Sequence, residues 1–196
     1  MAPSTKVCDL KHLRRCFVLA RKAGVNTFPN PLVGAVLVKN GRVIGEGYHH
    51  ACGEDHAEVD ALKNCTENPT GATIYVNLEP CNHHGRTPPC TKAILEAGIK
   101  RVVYATQDNN PVASGGGKFL RDNGIDVLSG LMDSEAREFN HVFFTHILLG
   151  RPHVTLKVAQ TINAKAARKD RSSQWITCFD ARKDVHRERS LNQAIL

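Results

Sequence analysis

Apolar positions recur at helical spacing near the start of the chain and alternate with polar ones soon afterwards. Leu10, Leu13, Phe17 and Ala20 share one face of a predicted helix, and Gly24 is a natural stop. Pro29-Asn30-Pro31 breaks the chain. An apolar strand follows over 32–39, then a hairpin turn at Asn40-Gly41 and a return strand over 42–49. Ala57 to Cys65 reads as a short helix and Ala72 to Leu78 as a buried strand rich in β-branched residues. Pro88-Pro89 opens a helix over 91–97 that Gly98 ends. A strand over 102–105, a helix over 118–123 and a strand over 125–128 come next, and Asp133 can cap one long helix to about Leu149.

This order, α-β-β-α-β-α-β-α-β-α, predicts a layered α/β domain with a hairpin first and crossover units after it. Right-handed crossovers make the later strands parallel. Gly150-Arg151-Pro152 reads as a boundary, which divides the chain into 1–150 and 151–196. Val154 to Ala159 then predicts a new strand, followed by a basic polar loop and Trp175-Ile176-Thr177.

Composition changes this picture little. The chain of 196 residues is 41% hydrophobic and 23% charged, which is ordinary globular composition. No apolar run approaches the ~18 residues of a membrane span, and no apolar leader follows the polar N-terminus, so the expectation is a soluble cytoplasmic protein. The formal charge of +7 is uneven: residues 151–196 hold 10 Lys/Arg against 4 Asp/Glu, and the first 150 residues are nearly neutral. A basic protein invites a nucleic-acid reading, but the surplus lies away from the residues that carry chemistry. Seven cysteines without regular spacing suit a reducing compartment in which most are free thiols and two bind metal.

The chemistry concentrates in His56-Ala57-Glu58, Pro80-Cys81 and Cys90. His56 and Glu58 open one predicted helix, Cys81 lies just past a strand, and Cys90 opens the next helix. Positive helix ends beside thiols favour the deprotonated sulfur that binds metal. One imidazole and two thiolates are the protein ligands of a catalytic zinc site, which keeps a fourth position for water and lowers its pKa toward ~7. Glu58 stands beside the ligands and can carry protons, as in zinc-dependent base deaminases. In their usual motif two residues separate the cysteines, whereas here eight do. The alternative is a closed structural site with His83 or His84 as fourth ligand.

Together, His56-Ala-Glu58-Val and Leu78-Glu-Pro-Cys-Asn-His-His-Gly-Arg-Thr-Pro-Pro-Cys90 resemble the deaminase domain of the bifunctional riboflavin-biosynthesis deaminase–reductases. Asn30-Pro-Leu-Val-Gly-Ala, Gly45-Glu-Gly-Tyr-His49, Asp108-Asn-Asn-Pro111 and Gly124-Ile-Asp-Val extend the likeness over about residues 8–150. The resemblance implies a three-layer α/β/α, cytidine deaminase-like domain with a mixed five-stranded sheet. It also implies hydrolytic deamination of 2,5-diamino-6-(phosphoribosylamino)pyrimidinone to 5-amino-6-(phosphoribosylamino)uracil. Zn2+ would be held by His56, Cys81 and Cys90, with Glu58 as the proton shuttle. Asn30, His49, His83, Arg86, Asp108 and Asn110 would lie near the substrate, and the domain would associate into homo-oligomers.

The last 46 residues resemble the start of the family's dihydrofolate reductase-like domain, through Val154-Thr-Leu-Lys157-Val-Ala and Ser173-Gln-Trp-Ile-Thr177. That likeness implies Ala159 and Trp175 near NADPH, and Lys157, Ser173 and Arg189 near the reductase substrate. The family's Asp-Gly after the first strand is Asn163-Ala164 here. So short a segment cannot bury a full core, and the expectation is deamination without NADPH-dependent reduction. Two other readings are a nucleic-acid base deaminase and a non-catalytic zinc-stabilised module. The long loop 82–89 argues against the first, and the presence of Glu58 against the second.

Overall fold

The computed structural model describes residues 5–85, 88–170 and 175–196. These fall into two compact units, Met1–Pro152 and His153–Leu196. In the first, helix α1 (Thr5–Ala20) continues into a short 3-10 turn, Arg21–Ala23. The hairpin is β1 (Gly34–Lys39) and β2 (Arg42–Tyr48), turned by Asn40 and Gly41, both at positive φ. Then come α2 (Ala57–Lys63), β3 (Thr73–Val76), α3 (Cys90–Glu96), β4 (Arg101–Tyr104), α4 (Gly116–Asp122) and β5 (Asp126–Ser129). Helices α5 (Asp133–Phe139) and α6 (His141–Leu149) close the unit.

The five strands form one mixed sheet in the order β2-β1-β3-β4-β5. β1 pairs antiparallel with β2 and β3, while β3-β4 and β4-β5 are parallel. Period-two alternation sends its side chains into two cores. Leu37, Ile74, Val76 and Val102 meet Ala57 and Ala61 of α2, Ile94 of α3 and Leu120 of α4 on one face. Val36, Val38, Tyr75 and Val103 meet Leu13, Cys16 and Phe17 of α1 and Ala136 of α5 on the other. The expected three layers are present.

Two glycines are required by close approach. A Cβ at Gly34 would lie 2.2 Å from the Cys16 carbonyl oxygen, and one at Gly47 would lie 2.2 Å from the Ala61 nitrogen. The first lets α1 seat on β1. The second lets α2 seat on β2, which brings the His56–Glu58 turn down to the sheet edge.

The helix expected over Asp133–Leu149 is two helices. They meet at Asn140, whose φ is −107° and whose side chain is buried. Its Oδ1 accepts from the Leu32 N–H at 2.8 Å, and its Nδ2 donates to the Leu32 carbonyl at 3.0 Å. A polar side chain facing inward breaks the apolar run there because it satisfies a buried loop.

In the second unit the strand expected over Val154–Ala159 does not form. Its alternating residues Val154, Leu156 and Val158 are exposed, and an extended run without a paired neighbour is no ladder. Beyond Trp175-Ile176-Thr177, where no element was expected, a helix forms, α7 (Phe179–Ser190), with Asp180 in its first turn and Arg187 and Arg189 in its last. Those charges complement the helix dipole. None of the described residues in this unit is buried.

Candidate active site

Three segments meet at one end of the sheet. His56 is the residue before α2, Glu58 is in that helix's first turn, Cys81 follows β3, and Cys90 begins α3. Their packing is buried: Cys90 is fully buried, Glu58 is 3% exposed and Cys81 is 8% exposed. His56 Nδ1 lies 3.1 Å from Cys90 Sγ and 3.4 Å from Cys81 Sγ. All three ligand atoms are within 4.8 Å of one another. A tetrahedral zinc site needs N···S and S···S separations of about 3.6 and 3.8 Å. The donor set and its spacing therefore fit zinc. Among the described residues, neither His83 nor His84 joins this cluster.

The titration behaviour follows from the crowding. Cys81 is driven well below the usual thiol range, first by a hydrogen bond from Cys90 and also by one from His56, against the opposing effect of burial. Cys90 is correspondingly driven up by that hydrogen bond and by burial. Contact with Cys81 raises the His56 imidazole despite burial. Protons thus sit where a cation would relieve the same charge. Burial pushes the Glu58 carboxyl up to about 7, helped by the negative Cys81 and opposed by His56. A carboxyl near neutrality is suited to taking and returning protons.

Beside this cluster is a cavity of about 370 Å³. Asn30, His49, His83, Asp108 and Asn110 all line it with His56, Glu58 and Cys81, so the expected substrate-side residues are gathered around one space. Arg86 lies outside the described residues. His49 Nδ1 is 2.9 Å from the Asp55 carbonyl oxygen, which can only accept, so that nitrogen carries the proton. Its Nε2 then accepts from Asn30 Nδ2 at 3.1 Å. Burial lowers the His49 pKa, which favours this neutral ring. Burial also pushes the Asp108 carboxyl up to about 6, although its Oδ1 accepts from the Asn110 N–H at 2.9 Å.

The loop that carries Asn30 is held from two sides. Asn77 is fully buried and accepts from the Gly34 N–H at 2.8 Å, while its amide donates to the Leu32 carbonyl at 2.9 Å. Asn140 clamps Leu32 from the other side. Neither asparagine stands out in the sequence as a site residue. The available signal was an amide within an otherwise apolar stretch, at the end of a buried strand or inside a helix.

The reductase-like positions stand on separate segments of the second unit. Lys157 is exposed and Ala159 half-buried in the extended run, and Arg189 is exposed on α7. Trp175 is 70% exposed, with the Arg182 guanidinium 3.9 Å above its ring. Ser173 lies outside the described residues.

Residues 6–106 match the cytidine and deoxycytidylate deaminase zinc-binding region, and residues 152–196 match the RibD C-terminal domain. The riboflavin biosynthesis protein RibD of Aquifex aeolicus is 51% identical over 96% of this chain and 53% of its own length. RibD of Escherichia coli is 47% identical over 96% of this chain and 52% of its own length. A crystal structure of a diaminohydroxyphosphoribosylaminopyrimidine deaminase/5-amino-6-(5-phosphoribosylamino)uracil reductase from Thermotoga maritima superposes with a TM-score of 0.89. It is 42% identical, over 94% of this chain and 53% of the Thermotoga chain. The chain thus spans about half the length of these relatives. With the deaminase fold and the His56, Cys81 and Cys90 cluster in place, the chain belongs to the cytidine and deoxycytidylate deaminase zinc-binding family, as a RibD-type deaminase domain followed by the start of a RibD C-terminal domain.

Proposed function

We propose that this chain catalyses zinc-dependent hydrolysis of the exocyclic amine of 2,5-diamino-6-(phosphoribosylamino)pyrimidinone, giving 5-amino-6-(phosphoribosylamino)uracil and ammonia in riboflavin biosynthesis. The observation that carries the reading is Glu58, a buried carboxyl beside a His-Cys-Cys cluster at the wall of a cavity. The name of the Thermotoga protein supports the substrate.

His56, Cys81 and Cys90 would hold the zinc, which would supply Lewis acidity near neutral pH. Glu58 accepts the two protons of the attacking water one after the other. It returns protons to the ring nitrogen and to the departing amine, so one water is consumed and one ammonia leaves. Asn30, oriented by His49, hydrogen-bonds the pyrimidine edge. Asp108 and Asn110 form the facing wall, and His83 lies beside them. Arg86 is assigned to the phosphate through charge-assisted bonds. Residues 1–150 are assigned to this activity.

Residues 151–196 are assigned to the start of a reductase domain, with Lys157, Ala159, Ser173, Trp175 and Arg189 at its NADPH and substrate positions.

Glu58→Gln tests the reading. It should leave zinc content unchanged and lower kcat for ammonia release by about 10²–10⁴-fold. Near-native turnover in that variant refutes the proton-transfer role. A wild-type chain that releases no ammonia from the diaminopyrimidine refutes the substrate.

A further inference from the structure

Glu79 stands two residues before Cys81 and lines the same cavity, and its burial has no explanation in the chemistry above. It is 7% exposed, and its two carboxylate oxygens accept from different elements, one from the loop after β4 and one from the first turn of α4. Oε2 accepts from the Asp108 N–H at 3.1 Å, and Oε1 accepts from the Gly117 N–H at 2.8 Å. The Glu79 N–H itself donates to the Thr106 carbonyl at 2.9 Å. Three bonds from one residue thus span the segment 106–117.

That segment is built to come this close. A Cβ at Gly116 would lie 1.8 Å from the Pro80 carbonyl oxygen, and one at Gly117 would lie 2.3 Å from the Tyr104 hydroxyl. A side chain at Gly116 would lift the start of α4 off Pro80, and one at Gly117 would press on the buried Tyr104 ring. Between the two anchors stand Asp108 and Asn110, both lining the cavity. Asp108 Oδ1 accepts from the Asn110 N–H, so holding the Asp108 backbone also sets Asn110.

We propose that Glu79 is a positioning residue: its carboxylate ties the loop after β4 to the start of α4 through the Asp108 and Gly117 amides and thereby fixes Asp108 and Asn110 at the lining of the cavity. The proposal rests on the deaminase reading above. It takes no part in proton transfer or metal binding, so it acts on substrate affinity and not on turnover.

Glu79→Gln in the full chain is the test. The amide offers one acceptor oxygen where the carboxylate offers two, so one of the two backbone amides loses its partner. KM for the phosphoribosylated diaminopyrimidine should rise on the order of tenfold. Turnover should stay within about twofold, as expected when binding is lost equally from ground and transition states. Zinc content should match the wild type, and the Asp108 and Gly117 amides should exchange faster by NMR hydrogen exchange. Glu79→Asp keeps the charge but reaches only one amide, and it should fall between the two. It also serves if the Gln variant does not fold.

Unchanged KM, or unchanged exchange at both amides, overturns the proposal. A joint fall of zinc content and turnover overturns it too, because Glu79 would then support the metal site. If the wild type itself releases no ammonia from this pyrimidine, the substrate assignment fails, and the exchange comparison alone decides the role of Glu79.

Discussion

Replacing Arg101 by methionine should expose how strongly α1 is tied to the sheet. The Asp9 carboxylate, on α1, has a side chain 2% exposed. It accepts from Arg101 Nη1 at 2.8 Å and Nη2 at 2.9 Å, and from the Tyr75 hydroxyl at 2.8 Å. Methionine fills similar space but leaves the carboxylate buried without its cation. Breaking a buried pair from one side costs about 3–5 kcal/mol. The Arg101 side chain is itself 21% exposed and Tyr75 remains, so the expected loss is about 2–4 kcal/mol. For a domain of this size that lowers Tm by about 4–16 °C.

The pH dependence has a definite sign. Burial raises the Asp9 carboxyl, but the hydrogen bonds from Arg101 and Tyr75 and the attraction of Arg101 outweigh it, so its pKa ends below the ordinary value. The native pair therefore stabilises the fold above about pH 4 and is lost as the pH falls through the lowered folded pKa. In Arg101→Met burial is no longer opposed by the cation, so the carboxyl titrates higher and protonation relieves the buried charge. The stability gap between the two proteins should be widest near pH 7 and close toward pH 4. Urea melts across that range measure it. Arg15→Met is the control, since its pair with Glu46 is 43% and 31% exposed and should be worth less than about 1 kcal/mol. Equal losses in the two variants, or a gap independent of pH, would refute the reasoning.

Two further outcomes follow from the same structure. Asn140→Ala leaves the Leu32 N–H unpartnered and should destabilise the chain by about 1–3 kcal/mol in urea melts, with a raised KM because Leu32 anchors the Asn30 loop. Cys90→Ser should weaken zinc binding, measured by chelator competition with metal analysis, by more than the roughly 10–100-fold typical of losing an outer hydrogen-bond partner.

The core was legible because the central strands are runs of apolar and β-branched residues that divide between the two faces: Val36 and Val38 against Leu37, and Tyr75 against Ile74 and Val76. The misread stretches are those in which a tertiary partner decides the outcome. Asn140 lies inside the single helix expected from Asp133 to about Leu149, but its contact with Leu32, 108 positions away, accompanies the division of that helix in two. Val154, Leu156 and Val158 have the alternation of a strand, but without a paired neighbour they remain extended and exposed. Helix α7 did leave a signal, acid at its start and base at its end, which its polarity masked.

What the sequence determined by itself was the local chemistry: a histidine and a glutamate two positions apart, one thiol just past a strand and another at the start of a helix. Ligand identity and helix-end placement are short-range properties, written in neighbouring residues. Only the tertiary structure decided that His56, Cys81 and Cys90 lie within 4.8 Å of one another, and that Glu58 is buried beside them with a raised pKa. It also turned Glu79 from one more acid beside Pro80 into the residue joining two distant amides. Burial and convergence depend on how helices seat on a sheet, through close approaches such as Gly34 on Cys16 and Gly47 on Ala61, and no stretch of sequence contains both sides of such a contact.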